Sequence, residues 1–265
     1  MGLFDKKYCD VCGEKIGLLG NRKLEDGNLC KNCAKKLSPW FDERRHSTVA
    51  QIKEQLAYRE ANKDAVAKFN VTRSFGDRYR LLIDEDAQVF AVSSSDNMEI
   101  DNADVIRLDQ VTGCDLDVDE RRYEEMRTDK DGKEVSYNPP HYRYEYDFNI
   151  VIRVNSPWFD EIRFPLNRQT VEVFPPTSRG GLFITSTDSP GRRSYEYKQY
   201  EDMGHEIKDA LLNARRQARE ETAGQKPVQQ EAPRTDGTVV CPLCGAKTKP
   251  DAKGKCEYCG GTIIK

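Results

Sequence analysis

Long apolar runs are missing from this chain. No stretch approaches the roughly 18 consecutive apolar residues that cross a bilayer, and residues 1–10 hold no apolar leader, so the expected setting is cytoplasmic. Charge of one sign is missing too. The 42 Lys and Arg stand against 45 Asp and Glu, a formal net charge of −3, which excludes a simple polybasic nucleic-acid binder. Histidine is scarce, with three in 265 residues. The sequence has no His-Glu-x-x-His helix, no Ser-His-Asp order and no phosphate-cradling glycine loop, so it reads as non-enzymatic. Met1-Gly2 opens as an acylation signal does, but Lys6 stands where that signal wants Ser or Thr. Apolar residues make up 37% of the chain, below the roughly 45% of an ordinary globular protein, so the core must be concentrated in one main domain with smaller appendages.

Cysteine, by contrast, is abundant. Nine occur, and eight form Cys-x-x-Cys pairs: Cys9 with Cys12, Cys30 with Cys33, Cys241 with Cys244, and Cys256 with Cys259. Four disulfides would need an oxidising compartment, which the missing leader argues against. Cysteines two residues apart aim both sulfurs at one ion, and four thiolates complete the tetrahedral shell of Zn²⁺ at about 2.3 Å each. Two structural zinc ions are therefore expected, one on Cys9, Cys12, Cys30 and Cys33, the other on Cys241, Cys244, Cys256 and Cys259. With every ligand a cysteine, no coordination position is open to water or substrate. Thiol redox exchange calls for a single pair at a helix start after a strand, whereas these pairs come in matched sets. Iron also fits a four-thiolate cage, and spacing leaves zinc and iron both open. Gly13 and Gly245 follow the second cysteine of a pair, where a knuckle turn favours positive φ. Residues 31–37 read as a short helix with Cys33 in its first turn, a treble-clef plan; the second module reads as a plain zinc ribbon.

Between these modules the hydrophobic period changes twice. Residues 1–42 are expected to form the first finger and 43–69 an amphipathic connector helix. Residues 70–221 make a β domain with a closing helix, 222–237 a flexible linker and 238–265 the second ribbon. Ser38-Pro39-Trp40-Phe41 makes a turn, and Thr48 with Gln51 has capping-box spacing. Val49, Ile52, Leu56, Val66 and Phe69 form the connector's apolar stripe, with Lys53, Arg59, Glu60, Lys63 and Asp64 elsewhere. From residue 71 the period is two. Tyr79, Leu81 and Ile83 alternate with polar positions, Asp84-Glu85-Asp86 turns the chain, and residues 87–92 return as a hairpin. Cys114, Leu116 and Val118 share one face, Asp115, Asp117 and Asp119 the other; an EF-hand would need Gly and Glu where Glu120 and Met126 stand. Asp131-Gly132 is a tight-turn signal.

The clearest strand carries Tyr142, Tyr144, Tyr146, Phe148, Ile150, Ile152 and Val154 at every even position; its length predicts a bend, as in small barrels. Ile162, Phe164 and Leu166, then Val171 and Val173, continue the meander, and Arg179-Gly180-Gly181 turns into residues 182–184. Residues 195–221 return to helical spacing, with Tyr200, Met203, Ile207, Ala210, Leu211 and Ala214 near one face. The expected class is α+β: an antiparallel, pleckstrin-homology-like β-barrel with a carboxy-terminal helix, flanked by two zinc modules.

Residues 9–66 hold Cys9-Asp-Val-Cys12-Gly13, Leu29-Cys30-Lys-Asn-Cys33, Leu37-Ser-Pro-Trp40-Phe41 and Ser47-Thr-Val-Ala-Gln-Ile-Lys53. This stretch resembles an uncharacterised bacterial domain-of-unknown-function family with an amino-terminal zinc finger followed by a helix. The middle segment looks like a bacterial pleckstrin-homology or GRAM-like domain in strand order. The end, Cys241-Pro-Leu-Cys244-Gly245 with Cys256-Glu-Tyr-Cys259-Gly260, is similar to generic bacterial zinc ribbons. The resemblance implies zinc and a bacterial cytosolic setting, and it carries no established activity.

Three functional readings follow. The first is a non-enzymatic adaptor that binds a protein partner. The second is nucleic-acid binding by the last ribbon through Lys247, Lys249, Lys253 and Lys255, with Lys265 and with Tyr258 as a stacking face. The third is membrane-surface binding by the pleckstrin-homology-like domain through Arg78, Arg80, Arg192 and Arg193, opposed by the acidic residues 115–131. Cys114 with His141 has the makings of a thiolate pair, but its place on an apolar strand face reads as a buried, inert thiol. His46 and His205 read as exposed.

Overall fold

Strands of two residues cannot hold themselves, and the amino-terminal end is built of them. β1 (Lys7–Tyr8) pairs with β2 (Lys15–Ile16) and β3 (Arg22–Lys23) with β4 (Asn28–Leu29), ahead of the single helical turn α1 (Lys31–Ala34). α1 is shorter than the predicted 31–37. Beyond Ala34 the bonds tighten to the next carbonyl but two, as in Lys36 N–H to Cys33 O at 3.1 Å, and Pro39 disfavours helical backbone at Ser38. The computed structural model describes residues 6–174, 190–225, 239–240, 247–251, 254–256 and 262–263. The chain divides into two units, Met1–Arg219 and Glu220–Lys265.

A 3-10 turn at Glu43–His46 leads into α2 (Val49–Lys68). Its start is the expected capping box: Gln51 N–H donates to Thr48 Oγ1 at 3.3 Å and Thr48 N–H to Gln51 Oε1 at 2.9 Å. Asp26 adds a cap from the hairpin, accepting from Val49 N–H at 2.7 Å. The buried stripe of α2 differs from the expected one. It runs Ile52, Gln55, Arg59, Asn62, Val66, so Arg59 lies inside rather than among the solvated charges. Ile52 enters the finger's apolar cluster and Val66 the cluster of Leu82, Ala91, Met98 and Ala103. The helix face between them meets backbone carbonyls that Arg59 and Asn62 satisfy, while Gln55 in the same stripe is buried with neither side-chain polar atom hydrogen-bonded among the described residues.

The first sheet is the meander β5 (Arg73–Phe75), β6 (Arg80–Asp84), β7 (Val89–Ser93), β8 (Ile106–Arg107), with α3 (Met98–Asp101) between its last two strands. β6 and β7 are buried on both faces, since Leu81, Ile83, Phe90 and Val92 face the main core while Leu82 and Ala91 face α2 and α3. The second sheet is built on β9 (Val111–Thr128) and β10 (Glu134–Val154). β9 holds one edge of β10, while β11 (Glu161–Pro165) and β12 (Val171–Val173) share the other. Between them Asn167 stands in for a strand, its Oδ1 accepting from Phe148 N–H at 2.8 Å.

Among the described residues these sheets do not close into the expected barrel. The 3-10 turn Leu108–Gln110 carries the chain from β8 to β9 without a ladder between them, and β10 has already used both its edges. What stands is a mixed α and β architecture of two four-stranded antiparallel sheets, covered by α4 (Tyr195–Gln225). Tyr197 of α4 packs edge-on against Tyr146 and Phe148, with ring centroids 4.8 and 5.1 Å away. Gly204 lets the helix close on the sheet, where a Cβ would lie 2.6 Å from Leu116. Even positions of β10 from Tyr144 to Val154 are buried, as the alternation required.

The expected linker starts later than residue 222, because α4 continues through Gln225, and Pro227 follows only two residues on. Residues 226–237 of that linker, and the expected turn at 179–181 with the run 182–184, lie outside the described residues. In the second unit β13 (Val239–Val240) pairs with β14 (Lys247–Thr248), and Lys255 bridges Thr262. No helix among the described residues is long and apolar enough to cross a membrane.

Finger, helix and first sheet meet at one buried ion pair. Arg59 Nη1 lies 2.7 Å from Asp104 Oδ1, with side chains 7% and 0% exposed. Ser38 donates to Asp104 Oδ2 at 2.7 Å, Arg59 Nη2 to Asp101 O at 3.1 Å, and Asn62 Nδ2 to Ala103 O at 2.8 Å. Removing the cation alone should be severe. Arg59→Met is expected to lower stability by about 3 kcal/mol or more in urea denaturation, since Asp104 stays buried without a countercharge, and adding Asp104→Leu should recover part of that loss. A single variant as stable as the native chain would show that the pair does not hold the joint.

Candidate metal centre

The first four cysteines come from two local structures that the sequence builds separately. Cys9 and Cys12 sit in the knuckle between β1 and β2. Gly13, at φ +75°, turns the chain so that its N–H reaches Cys9 O at 2.8 Å, and Cys9 N–H reaches Glu14 O at 2.9 Å. Cys30 is the N-cap of α1, its Sγ accepting from Cys33 N–H at 3.3 Å. The two halves are joined by Asp10, whose N–H donates to Asn28 O at 2.9 Å while its carboxylate accepts from Asn28 N–H at 2.6 Å. Gly27 allows this approach; a Cβ there would lie 2.8 Å from the Asp10 carboxylate and 2.5 Å from Val49.

The four sulfurs lie within 4.8 Å of one another. Cys12 and Cys30 are 3.7 Å apart, far beyond a disulfide and close to the edge, about 3.8 Å, of a tetrahedron with 2.3 Å zinc–sulfur bonds. Cys9, Cys30 and Cys33 are buried and Cys12 is exposed. Burial pushes the Cys9 thiol up, but the N–H groups of Cys12, Cys30 and Val11 outweigh it and hold it at about 7. Burial, and then the crowding of the other three sulfurs, push Cys33 upward. Such a cluster fits a divalent cation, which supplies the positive charge that crowded sulfurs lack, and all-thiolate donors suit zinc. With four protein ligands the site can hold structure and has no position left for a substrate.

The second expected set is described only at Cys256, which is buried; Cys241, Cys244 and Cys259 lie outside the described residues. Of the ribbon lysines, Lys249 and Lys255 are exposed, Lys247 begins β14, and Lys253 and Lys265 lie outside the described residues, as does Tyr258. The structure keeps Cys114 and His141 apart. Cys114 pairs in register with Ile152 and His141 with Glu125, so eleven residues of β10, about 35 Å, separate them. Burial and then Asp115 push the Cys114 thiol up to about 12, and His141 stacks on Tyr137 at 4.1 Å. His46 and His205 are exposed. Arg192 pairs with Glu120 at 2.9 Å and Arg80 with Asp96 at 3.3 Å, while Arg78 lies over the Tyr79 ring.

Sequence reasoning missed Asp10, Asp26, Arg59 and Asp104. The only local signal was the carboxylate inside the first Cys-x-x-Cys, placed to cap a strand end just ahead of the second.

Residues 7–55 match a family described as a domain of unknown function (DUF4428). No curated protein and no solved structure matches the chain. The match ends within α2 and spans all four cysteines of the finger.

The finger's core is small, so its order should depend on the ion. Cys33→Ser is expected to lower the zinc content of the purified full chain by one equivalent, read by elemental analysis. It should also abolish hydrogen-exchange protection between residues 7 and 47 while leaving β6, β7 and β10 protected. Unchanged zinc content would remove Cys33 from the ligand set.

Proposed function

We propose that the protein is a non-enzymatic zinc-binding adaptor whose main contact for a protein partner is the free end of the β9–β10 ribbon. Its pairing pattern carries this reading. β12 reaches β10 only at residues 144–146, so among the described residues the ribbon beyond Tyr144 consists of two strands alone. Tyr123 and Met126 are 43% and 48% exposed on it. Arg143 lies over the Tyr123 ring at 5.2 Å and Arg122 over Tyr142 at 4.8 Å. Tyr, Met and Arg are the residues that protein interfaces favour. Residues 120–143 hold six acidic and six basic side chains, a balance that suits a protein surface and gives phosphate little attraction.

The remaining parts of this reading are architectural. A four-strand meander, a second meander and a closing helix follow the order of a pleckstrin-homology-like platform, and a fold of that type offers surfaces rather than a reaction. The knuckle, hairpin and helical turn around Cys9, Cys12, Cys30 and Cys33 follow a treble-clef plan. A second structural zinc is assigned to Cys241, Cys244, Cys256 and Cys259. It is supported by the buried Cys256 and by the turn before it, where Gly254 N–H meets Asp251 O at 2.9 Å and Lys255 N–H meets Asp251 Oδ1 at 2.8 Å.

Replacing residues 125–141 by Asn-Gly joins Glu124 to Tyr142, which already face each other, and tests the ribbon. In affinity capture from a nuclease-treated bacterial lysate, the full chain is expected to retain a discrete protein that the shortened chain loses, with both chains showing the same thermal melting. Retention that vanishes with nuclease would move the assignment to nucleic acid.

A further inference from the structure

Two neighbouring leucines stand at the tip of the finger with their side chains in solvent: Leu18 is 92% exposed and Leu19 91%. They occupy the middle of a tight turn over residues 17–20, closed by Gly20 N–H donating to Gly17 O at 3.0 Å. Leu19 holds φ +61°, the left-handed region that glycine or asparagine enters far more readily. Glycine flanks the pair on both sides, yet the strained position itself carries a large apolar side chain. Arg22 braces it, donating from Nη1 to Leu19 O at 3.2 Å. Strain kept at a braced and fully solvated leucine has no folding benefit to set against it, which points to a use outside the fold.

The surroundings say what that use is. Lys15, Arg22, Lys23, Arg44 and Arg45 belong to the strands and the 3-10 turn of the same small module, and among the described residues none of the five forms an ion pair, although Glu14 and Glu43 are their neighbours in sequence. Arg44 Nη1 donates to Lys23 O at 3.0 Å, which draws the 3-10 turn onto β3. Burial and then the charges of Arg22 and Arg45 lower the Arg44 pKa, as expected in a group of cations without acids between them. A convex apolar knob with a cationic collar matches a layer of anionic headgroups over an apolar interior.

We propose that the turn at Leu18 and Leu19 docks the finger onto an anionic lipid bilayer, the leucines entering the interface while Lys15, Arg22, Lys23, Arg44 and Arg45 face the headgroups. This surface is distinct from the β9–β10 ribbon and does not depend on the adaptor reading. The test is flotation of the full, zinc-loaded chain with phosphatidylserine-containing vesicles and with pure phosphatidylcholine vesicles. The native chain is expected to float with the first, less as salt rises, and not with the second. Leu18→Ser with Leu19→Asn should reduce flotation roughly tenfold or more, from the lost burial of two leucine side chains. Because Asn tolerates the left-handed backbone, zinc content and thermal melting should remain native in that variant. Arg22→Gln with Arg45→Gln should weaken binding to the anionic vesicles, and the chain shortened at residues 125–141 should float like the native one. Native-like flotation of the leucine variant, or no flotation of the native chain, overturns the proposal. Loss of a captured protein, rather than of vesicles, on changing the leucines would assign the knob to a protein groove and overturn it equally.

Discussion

One guanidinium fixes how the finger, the connector helix and the first sheet meet. Arg59 reaches Asp104 at 2.7 Å, Asp101 O at 3.1 Å and Lys36 O at 3.4 Å, so its donors satisfy three acceptors on two separate pieces of chain. Burial pushes the Asp104 carboxyl above its usual range even though Arg59, Ser38 and Tyr58 pull it down. Taking both charges out of water is costly, so the pair's contribution is to specify geometry more than to add stability. Apolar contacts alone would let α2 slide, because the clusters around Ile52 and Val66 set no register between them. A directional, charge-assisted contact at Arg59, backed by Asn62 and Asn102, does set it.

Local chemistry was the legible part of this chain. The capping box of Thr48 and Gln51, the glycine after Cys12, the alternation of β10 and the stripe of α4 all depend on neighbours within a few residues, and each stands where the sequence put it. The illegible parts are the long-range ones. A helical wheel places Arg59 with the charges, because nothing within a turn of it announces Asp104, 45 residues away. The double burial of β6 and β7 was hidden for the same reason, since Leu82 and Ala91 meet α2 and α3 rather than each other's neighbours in sequence. The barrel expectation failed on edges: alternation reports which face of a strand is buried and is silent on which edges are paired.

Charge shows the same division. Asp115 and Asp117 form an acidic face in the sequence, yet Arg153 holds Asp115 at 2.7 Å, Lys208 holds it at 3.0 Å from α4, and Arg163 takes Asp117. Arg192 and Arg80 are likewise spent on Glu120 and Asp96. These exposed pairs add little stability individually. Their effect is to neutralise the acidic face of the second sheet, whereas Lys15, Arg22, Lys23, Arg44 and Arg45 of the finger form no ion pair among the described residues.

The four-cysteine site and the buried ion pair divide the work of ordering the amino-terminal end. Four two-residue strands and one helical turn bury only a handful of apolar side chains, Leu24, Leu29, Leu37 and Ile52 among them, too few to hold the finger without the ion. α2 is fastened at two places. Its first turn depends on the finger through Asp26 and Ile52, while from Arg59 onward it is tied to the first sheet by contacts that do not involve the finger's hairpins. A change in metal occupancy should therefore be felt through the knuckle, the tip at Leu18 and Leu19, and the helix start. It should stop near Arg59, because Asn62 and Val66 hold the rest of α2 to the sheet whatever the state of the sulfurs.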